Sequence, residues 1–183
     1  AIIHVRKELV GSIKSTIPDY VTVLEPQKVV WELDEKENQI TISTNKLKVF
    51  VNSDGTIEYQ TKDNHRLLSE TNELTYIKSG DDEENKVSQA FVAGDEALYG
   101  LGQFQSGIMN WKNVPIRLQQ YNQEIAIPFL VSTNQYGIYW NNYSLTDFNK
   151  SQNEIQFTSV GELATEEDAQ VIIPVGGEKE NVA

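Results

Sequence analysis

The side chains best suited to meeting a ligand crowd into one stretch of this chain, Leu98 to Phe148. It holds Trp111 and Trp140, two of the three tryptophans, and the densest run of Asn, Gln and aromatic residues. A solvated loop has no need of so many large apolar groups, and a plain core strand has no need of so many amides. Sugar-facing surfaces use this mixture: flat apolar faces lie against the ring, and fixed donors and acceptors meet the hydroxyls. On local chemistry alone, a set of aromatic turns is the reading to favour.

Other chemistries have weaker signals. His4 and His65 are the only histidines, without His-x-His or HExxH spacing, so no metal site is expected. Both lie far in sequence from the aromatic stretch, which argues against a Ser-His-acid triad. There is no cysteine, hence no disulfide and no thiolate ligand, and this leaves the compartment open. Gly100-Leu101-Gly102 invites a dinucleotide reading, but Gln105 stands where the third glycine belongs. A tight turn or a close backbone approach explains the pair better, and no cofactor is expected. Among carboxylates, Asp95 and Glu96 are adjacent and would point apart on a strand. Glu124 and Asp147 become a pair only if the fold brings them together. Retaining glycoside hydrolysis needs two carboxyls about 5–5.5 Å apart, so a complete active site within this chain is not expected. The acidic loop from Ser79 to Asn85 lacks the alternating acids of a calcium loop and reads as solvated.

The formal charge is -12, from 27 acidic and 15 basic residues. Such a surface repels phosphate, so neither nucleic acid nor an anionic membrane is an expected partner. Neutral ligands such as sugars stay open. No apolar run approaches the roughly 18 residues that suggest a membrane span, so no membrane insertion is expected.

The elements that must position these residues are short strands. Gln39 to Thr44 alternates polar and apolar residues, and Leu47, Val49 and Val51 continue the pattern. Asn52-Ser53-Asp54-Gly55 makes a hairpin turn, returned by Thr56 to Gln60 with Ile57 and Tyr59 on one face. Further strands are expected at Tyr20–Leu24, Val29–Leu33, Leu74–Ile77, Val87–Val92, Ile138–Trp140 and Glu154–Thr158, while Leu67–Glu70 follows a polar turn and Gln170–Val175 is the last apolar run. Asp34 to Asn38 reads as a charged turn. Ala126 to Ser132 reads as an edge strand, or as one beginning at Pro128. Residues 1–19 read as irregular, and Thr165-Glu166-Glu167-Asp168 as a short helix start. About a dozen strands with frequent turns make an all-β sandwich.

Four segments then give the Leu98–Phe148 stretch a specific likeness. They are Glu96–Gln103 (EALYGLGQ), Met109–Lys112 (MNWK), Ile127–Ser132 (IPFLVS) and Tyr136–Asn142 (YGIYWNN). In this order and spacing they resemble the N-terminal domain of glycoside hydrolase family 31, the α-glucosidase and α-xylosidase family. The hairpins from Ile40 to Glu70, closing on Leu67-Leu68-Ser69-Glu70, fit as well, so the likeness covers about Val29 to Phe148. It implies a β-supersandwich of galactose mutarotase type, with residues 1–183 forming a single N-terminal domain. It also implies that a (β/α)8 barrel outside this chain carries the two catalytic aspartates. The expected partners are that barrel and an α-linked oligosaccharide. The expected setting is the periplasm or exterior of a bacterium, with the cytoplasm left open.

In the family a loop of this domain reaches over the barrel mouth, and here it maps to Arg117–Asn122. The resemblance makes Gln119, Gln120, Tyr121 and Asn122 the candidate substrate-binding residues. Gln120 stands near an aspartate that binds sugar in gut-type α-glucosidases, and Asn122 near a second polar contact. The Gln-Tyr-Asn run looks more like the α-xylosidase branch. The same amides would also serve simply to cap a turn. Trp111 is the candidate stacking residue. Three functions follow: an accessory domain of an α-glycosidase without hydrolytic activity of its own, an independent carbohydrate-binding module, or a sugar mutarotase. The last rests on fold analogy alone.

Overall fold

The computed structural model describes residues 2–7, 28–71, 75–77, 85–149, 154–161 and, for the backbone, 167–172. The described elements are all strands, in three antiparallel sheets of five. One sheet is a meander of consecutive strands: β2 (Trp31–Lys36), β3 (Gln39–Thr44), β4 (Leu47–Asn52), β5 (Ile57–Thr61) and β6 (Arg66–Ser69). A second sheet contains β7 (Thr75–Ile77), β8 (Lys86–Val92), β10 (Ile116–Leu118), β13 (Leu145–Phe148) and β14 (Glu154–Val160), in the order β10-β13-β14-β8-β7. The third is built from β1 (Ile2–Lys7), β9 (Leu98–Gln103), β11 (Ile125–Ser132), β12 (Tyr136–Trp140) and β15 (Glu167–Ile172), in the order β1-β15-β12-β11-β9.

Alternation along the strands sets what is buried. In β14 every second residue is buried, from Ile155 through Phe157 to Ser159. In the meander, the register lines up Ile42, Val49, Tyr59 and Leu68 across four strands. The last three of these are 5% exposed or less and join a single core fed by all three sheets. The expected hairpin is present: Gly55 takes φ 81°, and its N–H donates to Asn52 O at 3.0 Å. Asp54 accepts from the N–H and the hydroxyl of Thr56, and these bonds hold its carboxyl below the usual range.

A bridge between Glu70 and Phe91 ties the meander to the second sheet. The buried Glu70 carboxylate accepts from Lys7 Nζ at 2.7 Å and from the Ile57 N–H at 2.9 Å, while Lys7 also donates to Gln89 at 3.0 Å. One polar cluster thus joins all three sheets. Burial raises the Glu70 pKa above 4.5, against the opposing pull of Lys7. The folded state therefore holds this proton more tightly than the unfolded state. The resulting stability is full below the ordinary value and is lost as pH rises through the raised one. The stability of the chain minus that of its Glu70→Gln variant is expected to fall as pH rises from 4.5 toward neutrality. Urea midpoints measured across that range check it, and a flat difference contradicts it.

Four expectations need correction. Residues 1–19 are not wholly irregular: Ile2–Lys7 is β1, paired along its length with β15. The short helix start is overturned, because Glu167 and Asp168 lie in β15, between β1 and β12. Pairing with two distant strands outweighs an acid-rich local signal that has no long apolar stripe behind it. The charged turn shrinks to Glu37-Asn38, since Asp34–Lys36 belongs to β2. Strand β11 is no edge strand: it sits between β9 and β12, and Pro128 falls where the register with β9 shifts between Ala126 and Leu130. An irregularity there accommodates a residue that has no N–H to give the ladder. The strand expected at Tyr20–Leu24, the acidic loop at residues 79–84 and the run beyond Ile172 lie outside the described residues.

Candidate functional site

The segment Gln119–Asn122 links β10 of the second sheet to β11 of the third, at the rim of the sandwich. Its base is fixed on both sides of β10. Leu118 faces inward at 7% exposure, while the Arg117 guanidinium grips Asp147 with two bonds, of 2.8 and 3.1 Å. Opposite charge and this bidentate contact raise the Arg117 pKa further. A shallow depression of about 240 Å³ lies at this base, lined by Pro115, Ile116, Arg117, Asp147 and Phe148.

Beyond Leu118 the chain turns tightly. Tyr121 and Glu124 form a β-bridge, and Glu124 N donates to Tyr121 O at 3.0 Å. Gln119, Gln120, Tyr121 and Asn122 all present exposed side chains, with Tyr121 57% exposed. The Glu124 carboxylate beside the Tyr121 phenol raises its pKa. The turn therefore offers amides as both donors and acceptors, a fixed aromatic face and one carboxylate, a set that suits sugar hydroxyls. Glu124 was not among the residues singled out for this turn, although the Tyr-x-x-Glu spacing across a two-residue turn signals the pairing. Nothing local signals the Arg117–Asp147 pair, whose partners stand 30 residues apart in sequence.

Trp111 does not join this turn. It is 3% exposed, so it has no free face for a sugar ring, and the stacking role expected of it does not fit the structure. Its indole N–H donates to Gly100 O at 3.1 Å, and its ring meets Phe104 edge-on at 5.5 Å. Asn110 Oδ1 accepts from the Leu98 and Lys112 N–H groups at 3.0 and 3.1 Å. The Asn-Trp-Lys run is thus a clamp on β9. Trp140, fully buried, is equally closed to ligand. The Gly100-Leu101-Gly102 run is also architectural, with φ values of 105°, 65° and 113°.

The other candidates separate as well. Asp95 is exposed, 3.7 Å from Lys112 Nζ, while its neighbour Glu96 is buried and accepts from the Ser132 hydroxyl and from Gly94 N. Burial, with the charge of Glu96, raises the Tyr136 pKa strongly. Asp147 is committed to Arg117 and Glu124 to Tyr121, so each of these carboxylates has its own partner. His4 is exposed on β1, and His65 meets Asn134 at 3.3 Å. Among the described residues, no three His, Cys, Asp or Glu side chains are arranged to hold a metal ion.

Comparisons with known proteins agree with this architecture. Residues 2–149 match the model of the glycosyl hydrolase 31 N-terminal galactose mutarotase-like domain. A family 31 glucosidase of Pseudescherichia vulneris is 36% identical over 64 residues, 35% of this chain and 12% of that protein. An alpha-xylosidase of Saccharolobus solfataricus is 35% identical over 80 residues, 38% of this chain and 11% of that enzyme. The crystal structure of a family 31 alpha-xylosidase from a soil metagenome, complexed with xylose, superposes with a TM-score of 0.78 at 19% identity. It covers 94% of this chain and 28% of its own, a likeness of fold. The matched segment is thus a small part of each of these longer proteins. With all-β sheets meeting on one core and a family match over residues 2–149, the chain belongs to glycoside hydrolase family 31, as its N-terminal galactose mutarotase-like domain.

Proposed function

We propose that this domain is the non-catalytic N-terminal part of a retaining α-glycosidase of α-xylosidase type. It packs on the catalytic barrel of the same polypeptide and lends the Gln119–Asn122 turn to the substrate entrance. The observation that carries this reading is the turn itself: four exposed amide and aromatic side chains on a short reverse turn, held at its base by Arg117 and Asp147. Loops that project from a rigid scaffold are common carriers of function. The relative from Saccharolobus solfataricus, an alpha-xylosidase, supports the choice of substrate class.

The test uses the full-length enzyme containing this domain. Gln120→Ala and Tyr121→Ala are each expected to raise KM for an α-xyloside about 5- to 30-fold, the loss of one or two sugar contacts. The turnover number should stay within about twofold, because these contacts serve the bound sugar in ground and transition states alike. Unchanged KM in both variants would refute the role of the turn. The purified 183-residue chain is expected to release no nitrophenol from nitrophenyl α-xyloside or α-glucoside, and turnover above a heat-killed control would refute the non-catalytic assignment. Saturable binding of neutral oligosaccharide by the isolated chain, lost in Tyr121→Ala, would favour an independent carbohydrate-binding module.

A further inference from the structure

Strand β11 reads IAIPFLVS, a nearly unbroken apolar run. Such a run suits a strand covered on both faces, whereas a sheet with one wet face alternates apolar and polar residues. The described structure covers one face. Leu130 and Ser132 are buried in the core, while Ile125, Ile127, Phe129 and Val131 lie on the opposite, outer side. Ile125, Ile127 and Val131 are 48%, 50% and 40% exposed.

The neighbouring strands widen this outer surface. Tyr99 of β9 stands opposite Val131, and Tyr139 of β12 stands opposite Phe129. A Cβ at Gly137 would lie 3.2 Å from the Phe129 ring, so the glycine leaves room for the ring beside it. In a chain of charge -12, β9, β11 and β12 carry no charged residue at all. Absence of charge among aromatic and aliphatic side chains is the composition of an interface core, and a contiguous apolar face of this kind marks a contact surface.

We propose that the outer face of β9, β11 and β12 is the surface on which the catalytic barrel of the same polypeptide docks, an inference that rests on the barrel-docked reading above. Continuity chooses this occupant. β11 begins at Ile125, directly after the Gln119–Asn122 turn, so a body that lies against the face also meets the turn. The matched domain is a minor part of its longer relatives, which leaves a large body of chain to cover the face. A second copy of this chain would instead bring another formal charge of -12 against the first.

The test uses the full-length enzyme with one cysteine introduced at a time, by Ile127→Cys, Val131→Cys, Leu33→Cys or Ile77→Cys. All four positions are at least 40% exposed in the domain, and the last two lie in the other two sheets. Maleimide labelling is followed by peptide mass across a dilution series. Ile127→Cys and Val131→Cys are expected to label at least about tenfold more slowly than the other two, because a covered thiol reacts only when the interface opens. Benzoylphenylalanine at position 127 is expected to cross-link to the barrel of the same chain. Fast labelling at 127 and 131 with slow labelling at 33 or 77 would overturn the proposal and leave the barrel docked on another face. Fast labelling at all four positions would overturn the docking itself. Protection lost on dilution, or a cross-link to a second copy or to a domain other than the barrel, would put another occupant on the face and overturn the proposal.

Discussion

Gly102→Ala is expected to leave the chain unfolded or nearly so, at a cost above about 4 kcal/mol, the range reserved for severe structural faults. A Cβ at this position would lie 1.9 Å from Ile125 O and 2.9 Å from Ile127 N. Both are backbone atoms of β11, which pairs with β9 at this point and is anchored further along, at Phe129–Ser132, by β12. Neither can swing aside as a flexible side chain would. The φ of 113° adds strain for any residue with a Cβ. Gly107→Ala is the matched control, since it has positive φ but nothing within 4 Å of the added methyl. It should cost only about 1–2 kcal/mol. Circular dichroism melting of both variants checks the pair. Equal midpoints would show that contact between β9 and β11 does not set the cost.

Trp140→Ala should be the most damaging truncation in the core, at about 3–5 kcal/mol. The indole is fully buried, stacked on Phe157 with centroids 5.4 Å apart, and its N–H donates to Ser159 Oγ at 2.8 Å. Removing it opens a void between the second and third sheets and leaves Ser159 with Thr146 as its remaining side-chain partner. For a domain of this size the melting midpoint should fall by about 6–20 °C. Trp140→Phe keeps most of the apolar area and should recover a large part of that loss. A truncation costing under about 1 kcal/mol would mean that the two sheets do not share one core at this point.

Sequence alternation was sufficient to locate the meander, because each strand there pairs with its immediate neighbours. Gln39–Thr44 and the Asn52–Gly55 turn need nothing from elsewhere in the chain. The opposite holds for β1 and β15. They pair with each other across more than a hundred residues, and their local patterns are weak on their own. The same contrast divides the aromatic stretch. The glycines of Gly100-Leu101-Gly102 were legible as a close backbone approach, because only glycine tolerates it. The role of Trp111 was not legible, since a ring that faces a sugar and a ring that seals a core have the same letter.

The sequence by itself determined that this is a strand-built chain with an acidic surface, and the order and spacing of four motifs identified its family. These are properties of neighbouring residues and of composition. Only the tertiary structure decided which aromatic side chains are open. It buried Trp111 and Trp140, left Tyr121 and Trp31 in solvent, and gave Asp147 to Arg117. Burial depends on which sheet arrives from a distant part of the chain to cover a given face, and local periodicity carries no record of that.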